Sequence, residues 1–147
     1  MNPDRLPDLS GFKHKCDLQI RFSDVDVLGH VNNTVYMTFY DTGKAHYFTD
    51  LLGRRIDWKH VESVIANVDC AFLAPIYFGE EIEVLTRCES IGEKSFKLLQ
   101  AIREKTSGTI KSACETVMVS FDPHTGKAIE LPQEWREALE NDLETVS

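Results

Sequence analysis

A change of hydrophobic period limits what this chain can fold into more than any other feature. Between residues 34 and 51, Tyr36, Tyr40, Gly43 and Tyr47 step by four, three and four, so they share one face of a helix. Met37, Ala45 and Phe48 widen that face. Asn32 or Asn33 is a suitable N-cap, and Gly53 is a suitable stop. After the helix the period becomes two. Val64, Ala66, Val68, Cys70 and Phe72 alternate with Ile65, Asn67, Asp69 and Ala71, which predicts a long strand over 64–72 with at least one well-buried face.

Three further strand-like runs follow, at 81–90, 95–104 and 109–121. They are punctuated by Pro75, Gly79, Gly92 and Ser107-Gly108. Before the helix, Leu18, Ile20 and Phe22 alternate with Asp17, Gln19 and Arg21, predicting a strand over 17–22 and an irregular segment over 23–32. Asp122-Pro123-His124-Thr125-Gly126 reads as a turn, and Pro132 opens a short acidic helix over 133–143. Long strands joined by short turns give an antiparallel sheet, and one helix with an apolar face must bury it there. The expected class is α+β, a five-stranded antiparallel sheet wrapped around one long helix. Such a sheet leaves an edge or a half-covered helix end, so a dimer is expected.

At 147 residues the chain suits one domain, residues 1–147 with a core of about 15–140. Its 42% hydrophobic and 27% charged residues match soluble globular proteins. No apolar run approaches a membrane span, and Met1-Asn2-Pro3-Asp4-Arg5 does not open a secretory signal, so a cytoplasmic location is expected. A net charge of −8 repels nucleic acid and anionic membranes, and a polyanionic ligand would need a local basic patch. Cys16, Cys70, Cys88 and Cys114 are too scattered for a disulfide framework or zinc ribbon and read as buried thiols. His14, His30, His46, His60 and His124 show no metal-ligand spacing, and neither a Gly-x-Ser-x-Gly elbow nor a glycine-rich nucleotide loop occurs.

The densest chemistry lies in Asp24-Val25-Asp26-Val27-Leu28-Gly29-His30-Val31-Asn32-Asn33, directly before the helix. Unpaired amides and the positive end of the helix dipole could stabilise an oxyanion there. A carboxylate could activate water or attack a carbonyl. The same composition also suits a capping loop, with Asp24 as an exposed strand-end residue.

The run Ile20-Arg21-Phe22-Ser23-Asp24-Val25-Asp26-Val27-Leu28-Gly29-His30-Val31-Asn32-Asn33-Thr34-Val35-Tyr36 resembles the signature of hot-dog-fold acyl-CoA thioesterases of the 4-hydroxybenzoyl-CoA thioesterase class. Tyr77-Phe78-Gly79-Glu80-Glu81 and Ile91-Gly92-Glu93-Lys94-Ser95-Phe96 follow in the family's order. The resemblance implies a hot-dog fold, a homodimer or dimer of dimers with sites at the interface, and an acyl-CoA substrate with no separate cofactor or metal. It implies that Asp26 is the nucleophile or general base and that the Asn33 backbone N–H polarises the thioester carbonyl. Gly29 and His30 would support them, Tyr36 would line the acyl pocket, and Lys94 and Ser95 would meet the nucleotide phosphates.

The Gly-His-Val-Asn-Asn form is also similar to plant acyl-carrier-protein thioesterases, but Leu28 stands where those carry an asparagine. On the helix, Asp41 and Lys44 stand where relatives carry Glu and Arg, and an exposed ion pair is expected. Arg54-Arg55 is a further basic pair. The alternatives are an acyl-carrier-protein thioesterase and a non-catalytic acyl-CoA-binding module.

Overall fold

The computed structural model describes residues 6–56 and 63–144. Met1-Asn2-Pro3-Asp4-Arg5 and His60 lie outside them. The elements are β1 (His14–Leu18), α1 (Asn33–Leu52), β2 (Ser63–Phe72), β3 (Ile82–Ile91), β4 (Ser95–Glu104), β5 (Ile110–Asp122), β6 (Lys127–Ala128) and α2 (Gln133–Glu144). Every strand pairing is antiparallel, and the sheet runs in the order β1-β3-β4-β5-β2, with β6 adding two residues beside β5. The sheet curves around α1, as the period change implied, and this is the hot-dog arrangement implied by the motif resemblance.

α1 begins where Asn32, in extended conformation, accepts the Thr34 amide at 3.0 Å, and ends where Gly53 takes the left-handed conformation at φ 65°. Its buried face carries Tyr36, Phe39, Tyr40, Gly43, Tyr47 and Phe48. Fully burying an aromatic side chain contributes about 2–3 kcal/mol, provided its polar tip finds a partner. The Tyr40 hydroxyl meets Ser112 Oγ at 2.6 Å, and the Tyr47 hydroxyl donates to Asp142 Oδ2 at 2.7 Å. Gly43 sits so close to β3 that a Cβ there would lie 2.8 Å from Val84 Cγ1. Gln100 Nε2, fully buried, donates to the Tyr40 carbonyl at 3.1 Å and locks the helix in place. On the sheet's other face, Phe12 covers Leu85 and Leu99.

Two expectations change. The first strand spans His14–Leu18 rather than 17–22, because its pairing ends at Leu18↔Ile82, the first residue of β3. β2 forms as expected but has no well-buried face: Val64, Ile65, Val68 and Phe72 are 42%, 46%, 39% and 47% exposed. The reason is position, since β2 is a sheet edge and α1 packs over β1 and β3. A bulge between Ile65 and Asn67 also shifts the alternation, so Ile65 rather than Val64 shares a face with Val68 and Phe72.

Candidate functional site

The two neighbouring aspartates of the loop have opposite fates. Asp24 is 3% exposed, contrary to the exposed strand-end reading. Its Oδ2 accepts the Arg21 amide at 2.8 Å and its Oδ1 meets the Arg21 guanidinium at 3.2 Å, closing a short 3-10 turn over Phe22–Asp24. Asp26 is exposed. Its Oδ1 accepts the Leu28 amide at 2.9 Å and the His30 amide at 3.3 Å. Among the described residues no group bonds to Oδ2, so one carboxylate oxygen is held in place while the other stays available.

The loop that carries Asp26 is a tight backbone device. The Asp26 amide donates to the His30 carbonyl at 2.8 Å, and the Gly29 amide returns to the Asp26 carbonyl at 3.0 Å. Gly29 closes this turn at φ 79°, where a side chain would be strained. Val31 then donates to the Ile76 carbonyl at 2.8 Å and Asn32 to the Asp24 carbonyl at 2.9 Å, which fixes the entry into α1.

At that entry the amides divide unequally. Thr34 is capped by the Asn32 side chain, and Val35 donates to the Asn32 carbonyl at 2.9 Å. The Asn33 amide meets no acceptor among the described residues. It is the early amide left over by the capping pattern, and the helix dipole adds positive potential there.

Asp26, His30, Asn33, Tyr36, Phe72 and Pro75 line one cavity of about 550 Å³. The structure therefore gathers Asp26, His30, Asn33 and Tyr36 at one place, with Gly29 in the turn beside them. The His30 ring packs edge-on against Tyr77 at 4.9 Å. Tyr36 is 2% exposed, and burial pushes its phenol up from the usual value, so it stays a neutral wall group. Its ring meets Phe72 edge-on at 5.0 Å.

Lys94 and Ser95 do not line this cavity. Ser95 pairs with Val119 and Phe72 with Ser112, so roughly 23 Å of β5 separates them at about 3.3 Å per residue. Arg54 is committed elsewhere, forking onto Glu134 of α2 at 2.7 and 2.9 Å. Asp41 and Lys44 do pair, at 3.3 Å, but Lys44 is only 6% exposed. The lysine lines a second cavity of about 350 Å³ between α1 and β2, with Phe48, Ile65, Met118 and Trp135.

Sequence reasoning missed the wall formed by Phe72 through Pro75 and the lysine that braces it. Lys111, 6% exposed, donates to the Pro75 carbonyl at 2.9 Å and pairs with Glu80 at 3.0 Å. Glu80 in turn accepts the Tyr77 amide at 2.6 Å. The Tyr77-Phe78-Gly79-Glu80 motif was the available signal for this support. Among the described residues, no group of three or more His, Cys, Asp or Glu side chains could hold a metal ion, and no helix is long and apolar enough to cross a membrane.

Comparison with known proteins adds three findings. A family model described as the thioesterase-like superfamily matches residues 20–139. Among curated proteins, YsmA of Bacillus subtilis (strain 168) is 26% identical over 83% of this chain and 82% of its own. The long-chain acyl-CoA thioesterase FadM of Escherichia coli (strain K12) is 24% identical over 84% and 94%. Among solved structures, a thioesterase from Thermus thermophilus, complexed with coenzyme A and Zn, superposes with a TM-score of 0.80 at 27% identity, covering 90% of this chain and 96% of that one.

Proposed function

The chain belongs to the thioesterase-like superfamily, and from that premise we propose that it hydrolyses an acyl-CoA to a carboxylic acid and free coenzyme A, Asp26 and the Asn33 amide being the working groups. The observation that carries this reading is the pairing of an unbonded carboxylate oxygen with an unbonded helix-start amide on one cavity wall. A thioester carbonyl placed between them accepts the Asn33 N–H, which stabilises charge as it develops on oxygen. Asp26 Oδ2 then either attacks the carbonyl carbon, expelling the thiolate and leaving a mixed anhydride for water to cleave, or takes a proton from the attacking water. Both routes end in carboxylate and thiol. Oδ1, tied to two amides, keeps the carboxylate aimed throughout.

In the same proposal two chains pair along their β2 edges, which covers the exposed Val68 and Phe72 and satisfies the edge backbone. Antiparallel pairing sets the Ser63 end of one β2 beside the Phe72 end of the other. The partner's Lys94 and Ser95, which lie toward the Ser63 end, are thereby carried toward the cavity and offer positive charge to the nucleotide phosphates. Placement with the 4-hydroxybenzoyl-CoA thioesterase class belongs to this reading. Coenzyme A carrier chemistry is supported by the nature of FadM and of the Thermus complex.

The test is a panel of aromatic and aliphatic acyl-CoA esters, with thiol release followed by a chromogenic thiol reagent. Turnover of at least one ester, with Asp26→Asn strongly impaired on it, is expected. Tight acyl-CoA binding without thiol release would instead assign a non-catalytic binding module.

A further inference from the structure

Cys70 and Cys114, far apart in sequence, face each other across the β2–β5 ladder. The hydrogen-bond phase of the ladder is set by the Leu73 amide, which donates to the Lys111 carbonyl at 2.9 Å. Leu73 and Lys111 are thus a hydrogen-bonded pair. Counting back with the antiparallel alternation, Phe72/Ser112 is non-hydrogen-bonded, Ala71/Ala113 is hydrogen-bonded, and Cys70/Cys114 is non-hydrogen-bonded. Pairs of that kind hold their Cα atoms about 4.5 Å apart with side chains closest, which falls within the range a disulfide spans.

We propose that Cys70 and Cys114 form a thiol–disulfide exchange site that closes to a cross-strand disulfide when the protein meets a small-molecule disulfide. The two side chains lie on the helix-facing side of the sheet, in the cluster that contains Tyr36 and Tyr40. They differ in a way that orders the chemistry. Cys70 is half-buried on the edge strand, whereas Cys114 is fully buried. Hydrogen-bond contacts with Cys114 and with Ser112 Oγ pull the Cys70 thiol down, despite its partial burial, while the contact between the two thiols and burial push Cys114 up. Cys70 is the attacking thiolate and Cys114 the resolving thiol. Because pairing of two chains along β2 would cover Cys70 together with Val68 and Phe72, the reagent reaches it on a chain whose β2 edge is open.

In the first step the Cys70 thiolate attacks one sulfur of RS–SR, forms a mixed disulfide and releases RS⁻, which takes up the proton Cys70 lost. In the second, Cys114 attacks the Cys70 sulfur, and the second RS⁻ leaves with the Cys114 proton. Two cysteine thiols are oxidised, one small disulfide is reduced to two thiols, and the protein loses two hydrogens. Closure withdraws Cys70 from Ser112, the residue that also meets the Tyr40 hydroxyl, and ties the edge strand to the body of the sheet beside the cavity wall. None of this depends on the proposed hydrolysis.

The test treats the intact protein, and the Val68→Lys variant whose β2 edge is left open, with oxidised glutathione and reads the mass, followed by peptide mapping without reduction. The expected product has lost two hydrogens and carries a peptide joining Cys70 to Cys114 within one chain, reversed by a thiol reductant. Cys114→Ala and Cys114→Ser should each accumulate one glutathione on Cys70, whereas Cys70→Ser should leave Cys114 unmodified. A stable glutathione adduct on Cys70 in the unaltered protein, an unreactive Cys70 in the Val68→Lys variant, or a Cys70 bond to a second chain would each overturn the proposal.

Discussion

Replacing Asp24 and Asp26 in turn by asparagine separates folding from catalysis, because the two substitutions are isosteric and their surroundings differ. In Asp26→Asn the amide oxygen keeps the bonds from Leu28 and His30, and the new amino group falls where no protein group was bonded. Stability should change by no more than about 0.5 kcal/mol, as for surface changes away from special features. Activity should fall about 10²- to 10⁴-fold, the usual contribution of a positioned base, which is roughly 3–5 kcal/mol of barrier. In Asp24→Asn one of two engaged oxygens becomes a donor facing a donor. Arg21 is 66% exposed at its side chain and can swing away, so the charge pair itself matters little. The remaining amide oxygen can keep the Arg21 amide, so the cost is set by the new amino group left buried opposite a donor, at about 1–2 kcal/mol. Urea denaturation measures the first effect and thiol release from an acyl-CoA the second. Near-normal kcat/KM in Asp26→Asn, or equal stability losses in the two variants, would refute the reasoning.

Gly43→Ala should destabilise the fold by about 1–2 kcal/mol by thermal unfolding, because the overlap with Val84 at 2.8 Å outweighs the gain of about 1 kcal/mol in helix propensity. Glu104 accepts two bonds from Ser107 and one from the Thr106 amide, which hold its carboxyl down at about 2, from an ordinary 4.5. Since the folded chain binds that proton more weakly than the unfolded chain, the stabilisation is complete above pH 4.5 and is lost as pH falls toward 2; Glu104→Gln should flatten that part of a stability-versus-pH curve. Val68→Lys, which places a charge on the exposed face of the edge strand, should give a monomer by analytical ultracentrifugation and lower the activity; an unchanged dimer would rule out pairing along β2.

Much of the fold was legible in the sequence because burial on one side imposes a period. β4 spans Ser95–Glu104 as the alternation implied, and α1 spans Asn33–Leu52 against an expected 34–51. β1 shows where period and pairing part. Alternate residues from His14 through Ile20 are partly buried, yet the ladder stops at Leu18, because β3 offers no residue beyond Ile82. Periodicity reports which side chains face inward, while a strand ends where its neighbour ends.

By itself, the sequence determined the local elements, the loop of polar residues before α1 and the family resemblance of its motif, since each depends on residues within a few positions of one another. Only the tertiary structure decided which aspartate keeps an unbonded oxygen, because burial of Asp24 and capping at Asn32 arise when the loop closes on α1 and on Ile76. It also decided that β2 is an exposed edge, that Lys111 braces the cavity wall, and that Cys70 lies opposite Cys114. These depend on strand order and register, which hydrogen bonds between distant segments set and which leave no period in the chain.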